Sequence, residues 1–195
     1  MNNSKSKENL RALIESAMLI AIGFVLSYIT LFRMPQGGSV TPLSMLPILL
    51  IGIRHGLKWG LAGGFVYAAL QMLQQFWPPP TATVQAYIAV VMLDYVLAFS
   101  VLGLSGLFKN RKFGLVIAAP ICLTLRFIFH FISGIVVWGV FADGVPVWQF
   151  SLVYNGSYML PEIAITTAVS AFLCLVAPPI LFKPAHQHTA SFDAD

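Results

Sequence analysis

Charge is what this sequence lacks most: Asp, Glu, Lys and Arg together make up 9% of its 195 residues, against roughly 25% in soluble domains. A soluble fold of this size could not cover its surface with so little charge, whereas a chain dissolved in lipid needs charge mainly in its connections. Cysteine is nearly absent as well. Cys122 and Cys174 both lie in apolar stretches, where they act as small hydrophobes and provide no framework of extracellular disulfides. There is no glycine-rich phosphate loop with its lysine, no paired-cysteine motif and no His-Glu-x-x-His helix, so no metal and no cofactor is expected. The polar segment Met1 to Leu10 runs into an apolar span without a small-residue cleavage site, so it reads as a cytoplasmic tail and not a cleavable signal.

What is present is hydrophobicity, 58% of residues with a mean hydropathy of +0.82. The net charge of +4 does not signal nucleic acid, because all the basic residues but Arg33, in an opposite connection, and Arg126, inside a span, occupy alternate connections between apolar spans. Lys5, Lys7 and Arg11 precede the first span, Arg54 and Lys58 follow the second, Lys109, Arg111 and Lys112 follow the fourth, and Lys183 follows the last. That alternation places both termini in the cytoplasm and requires an even number of spans. The expectation is an all-α, multi-pass plasma-membrane protein: a bundle of six transmembrane helices with a short second helix. Residues 1–9 form a cytoplasmic tail, 10–182 the substrate-binding membrane domain, and 183–195 a disordered cytoplasmic tail.

The spans are read at about 10–32, 43–53, 56–77, 84–108, 113–140 and 149–182. The second is too short for a full crossing of about 20 residues, so the Pro35 to Pro42 segment must supply part of the passage. The third carries Gly56, Gly60, Gly64 and Ala68 at intervals of four, a seam that lets two helix backbones approach closely. The last is overlong unless tilted or broken near Pro161.

Ionisable groups inside apolar spans are Glu15, Asp94, Arg126, His130 and Glu162. Each costs about 2.5–3.5 kcal/mol at the bilayer centre, so each must face protein or trapped water. Glu15, one turn past Arg11, reads as a solvated helix end. Asp94 falls near mid-membrane, with Tyr87 on its face and Tyr95 beside it. That chemistry suits a cationic or donor-rich solute, or else an ion pair with Arg126. In the fifth span Arg126, His130, Gly134 and Trp138 recur every four residues, so a flat ligand could stack on Trp138 while His130 gives a hydrogen bond and Gly134 leaves room. Trp138 alone would equally fit an interfacial belt. Asn155 offers a donor and an acceptor, either to a heterocycle or to a neighbouring helix. Arg126 is expected to form a structural ion pair with Glu162 or Asp94. Gln36 and Ser39 within Met34-Pro35-Gln36-Gly37-Gly38-Ser39 form a lid, a pocket rim or an ordinary surface loop.

Four ordered motifs give the chain a resemblance. They are Pro35-Gln36-Gly37-Gly38-Ser39, Leu93-Asp94-Tyr95-Val96-Leu97-Ala98-Phe99, His130-Phe131-Ile132-Ser133-Gly134 followed by Trp138-Gly139, and Ser151-Leu152 leading to Asn155-Gly156. With them the chain resembles the thiamine-specific S component of ECF-type vitamin transporters, from about Ala12 to the end of the sixth span. The resemblance implies a non-catalytic subunit that captures thiamine with high affinity from outside. It implies as partners a membrane coupling protein and two ABC-type ATPases, with the subunit toppling in the lipid bilayer to release its vitamin. It places the pocket on Asp94, Tyr95, His130, Trp138 and Asn155, with Gln36, Phe150 and Tyr154 as further candidates, and docking on Ala17 and Ala21. The alternatives are an S component for another vitamin or a thiamine precursor, and a membrane enzyme acting on a small amphiphile.

Overall fold

The computed structural model describes residues 2–177, so the end of the sixth span and the tail from Lys183 lie outside the described residues. Six helices form one bundle. They are α1 (Asn2–Leu26), α2 (Leu46–His55), α3 (Leu57–Gln74), the rod α4 (Val84–Phe108), α5 (Gly114–Val136) and α6 (Val147–Val176). By length and composition α1, α4, α5 and α6 can each cross a membrane.

Local chemistry sets the ends of these helices. Pro47 opens α2, where a missing N–H costs nothing. Gly56, at φ 93°, ends α2 and starts α3, a backbone region that glycine enters freely. Thr83 caps α4 by accepting from the Ala86 N–H at 3.3 Å. Pro120 and Pro161 both lie inside continuous helices, so α6 is tilted or projects rather than broken: its 30 residues span about 45 Å against a core of about 30 Å.

The short second helix is the centre of the bundle. Ile48, Leu49 and Ile51 of α2 are wholly buried. Its backbone is reached closely by α4, where Ser105 donates to the Leu49 carbonyl at 2.8 Å. The chain regains the missing half of the crossing between α1 and α2, through a hairpin of two-residue strands, β1 (Phe32–Arg33) with β2 (Ser39–Val40), and residues 41–45, of which Thr41, Ser44 and Met45 are buried. Non-helical backbone at that depth is tolerated because protein surrounds it. The first span therefore ends at Leu26 and not at Phe32, since the following residues are used for the hairpin.

The glycine seam of α3 holds in part. A Cβ at Gly60 would meet the Gly103 carbonyl at 2.6 Å, and one at Gly64 the Phe99 carbonyl at 2.6 Å, so α3 and α4 pack backbone to backbone. Gly56 forms the turn, and its backbone also meets α4, since a Cβ at Gly106 would lie 2.5 Å from the Gly56 carbonyl carbon.

The basic connections converge at one end. Glu15 accepts from Arg11 at 2.9 Å and from Arg54 at 2.8 Å, and lies 3.0 Å from His55 Nε2. Glu15 is thus no solvated helix end. Three basic groups surround it, which ties α1 to α2 at the end read as cytoplasmic.

Candidate functional site

The opposite end of the bundle holds a cavity of about 140 Å³, well above the roughly 10–15 Å³ one water needs. Gln36, Asp94, Tyr95, His130, Trp138, Phe150, Tyr154 and Asn155 all line it, brought from the hairpin and from α4, α5 and α6. Among the described lining residues Asp94 is the sole acid, while Arg33 and Arg126 supply cations.

Asp94 is the hub. Ser133 Oγ donates to Asp94 Oδ2 at 2.7 Å, Trp138 Nε1 donates to the same oxygen at 3.1 Å, and His130 Nδ1 lies 3.1 Å from Oδ1. The rod α4 is π-helical from Val91 to Leu97, a local widening found often at functional sites. This explains how both Asp94 and its neighbour Tyr95 reach the cavity. It also moves Tyr87 off the Asp94 face, because an i→i+5 turn breaks the seven-residue repeat on which that expectation rested. Tyr87 is 40% exposed and stacks on Phe76 at 6.4 Å, outside the cavity.

The stripe on α5 survives with two changes. Trp138 lies past the helix end at Val136, at the N-cap of a short 3₁₀ turn over Gly139–Phe141. Gly134 lines the cavity and also lets α6 approach α5 closely, because a Cβ there would meet Ser151 and, at 2.9 Å, Asn155 Nδ2. Asn155 Nδ2 donates to the His130 carbonyl at 3.2 Å and to the Ser151 carbonyl at 3.0 Å, while Tyr158 donates to Asn155 Oδ1 at 2.7 Å. In this conformation its amide is a tie between helices at the cavity wall.

Arg126 departs from the expected ion pair. Among the described residues neither Asp94 nor Glu162 bridges it. Its Nη1 donates to the Met45 sulfur at 2.7 Å and its guanidinium sits 4.4 Å from the Phe99 ring centre. Glu162 instead accepts from the Thr41 backbone N–H and from Thr41 Oγ1, the latter at 3.1 Å. Each group reaches the segment ahead of α2, which the sequence placed no closer to one than the other.

The Gln36 to Gly38 turn closes over the cavity. Tyr154 hydroxyl accepts from the Gln36 N–H at 2.8 Å and donates to the Gly37 carbonyl at 2.8 Å. Gly37 and Gly38 have φ of 90° and 85°, and a Cβ at Gly37 would meet the Trp77 ring at 3.1 Å. Here glycine is required by both backbone and space. The sequence reading missed Trp77, Tyr158 and Ser133 as parts of the site. Ser133 could have been found one turn beyond His130, whereas Trp77 looked only like the end of a span.

Aromatic walls, one half-buried carboxylate and a clasped outer loop, set in a bundle of membrane helices, define a solute-binding membrane protein. Residues 13–182 match the family described as thiamine transporter protein. The thiamine transporter ThiT of Bacillus subtilis (strain 168) is 37% identical over 199 residues, covering 93% of this chain and 97% of that protein. The ThiT of Lacticaseibacillus paracasei is 28% identical over 193 residues, covering 89% and 91%. The solved structure of ThiT from Listeria monocytogenes superposes with a TM-score of 0.73 at 25% identity, over 91% of this chain and 100% of that one. This chain belongs to the thiamine transporter family.

Proposed function

We propose that this protein is the thiamine-binding membrane subunit of a vitamin uptake transporter, taking thiamine into the cavity at the outer end of the bundle. The observation that carries the reading is Asp94, a carboxylate held among aromatic walls, which suits a flat heterocycle bearing a fixed positive charge and an amine donor. Trp138 gives a face for ring stacking, and His130 and Asn155 give hydrogen bonds at the wall. Tyr95 borders the same wall, where its hydroxyl donates to the Gln75 carbonyl at 2.8 Å. Phe150 and Tyr154, with ring centres 5.5 Å apart, form the side nearest the lid, and Gln36 belongs to the lid itself.

Titration of detergent-purified protein with thiamine, followed by tryptophan fluorescence, tests this. Saturable quenching below about 1 μM, not displaced by riboflavin, is the expected result. Displacement by riboflavin at similar concentration would favour an S component for another vitamin, and no quenching would refute the proposal.

Tyr154→Phe removes both lid bonds while keeping the ring. It is expected to raise the thiamine release rate by about tenfold, the effect of one or two hydrogen bonds. Stopped-flow displacement measures it, and an unchanged release rate would show that the clasp does not retain the ligand.

Transport is proposed to need a membrane coupling protein and two ABC-type ATPases. Ala17 and Ala21 lie on an exposed face of α1, among the exposed side chains of Leu13, Ile14, Met18 and Val25. Small residues there admit close approach by a partner helix. Replacing both with leucine is expected to abolish uptake in cells, tenfold or more, while leaving the thiamine Kd of the isolated subunit unchanged. Uptake at the wild-type rate would place docking elsewhere.

A further inference from the structure

At the floor of the cavity, which Thr41, Ser44 and Met45 help to line, residues 41–45 link β2 to α2 as irregular backbone within the bundle. Thr41 is 7% exposed, Ser44 2% and Met45 2%. Leu43 has φ 66°, the only positive value at a non-glycine position among the described residues. Leucine avoids that region, and such strain persists only where the surroundings over-determine it.

The surroundings here are two buried ionisable groups. Glu162, 0% exposed, holds Thr41 at one end through its backbone N–H and Oγ1, while Arg126 holds the Met45 sulfur at the other. Thr41 Oγ1 and Ser44 Oγ lie 2.9 Å apart inside this span. Glu162 Oε2 and Arg126 Nε are left without partners among the described residues. Such groups are costly at membrane depth, and among the described residues the hydrogen bonds they make go to this one segment. Arg126 borders the cavity and Glu162 does not.

Thr41 directly follows the hairpin that carries the Gln36 to Gly38 lid, so its position sets where the lid meets Tyr154. We infer that Glu162 is a positioning residue for the lid, pinning residues 41–45 in the strained form that closes the hairpin over the cavity. Glu162 thereby controls how fast a bound solute escapes without touching it. That the solute is thiamine rests on the reading above; the hinge does not.

Hydrogen exchange followed by mass spectrometry on the ligand-free, full-length protein tests the hinge without any ligand. Glu162→Ala is expected to speed exchange across residues 34–45 by about tenfold or more, as for loss of the two hydrogen bonds from Thr41. Glu162→Gln keeps an acceptor for Thr41 and is expected to stay within about threefold of wild type. Exchange in α5 should not change in either variant. In parallel, Glu162→Ala is expected to raise the thiamine release rate about tenfold with the association rate within about threefold. Should Glu162→Ala fail to fold, Thr41→Val deletes the Oγ1 bonds and is expected to speed exchange of the segment about threefold. Unchanged exchange in residues 34–45, or equal acceleration throughout α5, would overturn the proposal. If wild-type protein does not bind thiamine, the exchange result still stands, so the ligand and the hinge fail separately.

Discussion

Asp94→Asn is expected to weaken thiamine binding by roughly 100- to 1000-fold, about 3–4 kcal/mol, while the bundle remains folded. The carboxylate takes the Ser133 and Trp138 donors on one oxygen and faces His130 with the other. Asparagine keeps the shape but removes the charge and turns one acceptor into a donor. A donor is then aimed either at Ser133 and Trp138 or at His130, and the cation loses the sole acid among the described lining residues. Calorimetry gives the change in affinity, and circular dichroism confirms the retained helix. A Kd within about threefold of wild type would remove Asp94 from the site.

Trp138→Ala is expected to cost roughly 10- to 100-fold in affinity, the scale of a desolvated cation–aromatic contact. It should also abolish most of the thiamine-induced fluorescence change. Trp138→Phe separates the two roles of the indole. Phenylalanine keeps an aromatic face and loses the Nε1 donor to Asp94, so a loss of about three- to tenfold is expected. If phenylalanine were as damaging as alanine, the indole would matter through Asp94 and not through stacking.

Much of the architecture was legible because lipid leaves few options. Apolar runs interrupted by basic connections located the long helices, and the shortness of the second apolar run followed from Pro42 and Arg54 on either side of it. The four-residue spacing from Arg126 to Trp138 and the isolated Asp94 picked out side chains that do line one cavity. Other features depend on tertiary contact. The π-helical turn around Asp94 leaves no mark in hydropathy, yet it decides that Tyr95 joins the cavity and Tyr87 does not. A sequence period shows that Arg126 and Glu162 share the interior but not that both reach the segment ahead of α2. The Glu15 cluster was hidden for a similar reason, since Arg54 is 39 residues away in the chain. Gly134 lines the cavity as well as admitting α6, and that second role is one a gap in a stripe does not reveal.

The most direct measurement is a calorimetric titration of the isolated subunit with thiamine, in the absence of coupling protein and ATPases. One thiamine per chain with a Kd below about 1 μM, weakened by Asp94→Asn and by Trp138→Ala, is the expected result. Absence of binding up to about 100 μM, or binding indifferent to both substitutions, would contradict a thiamine pocket at the outer end of this bundle.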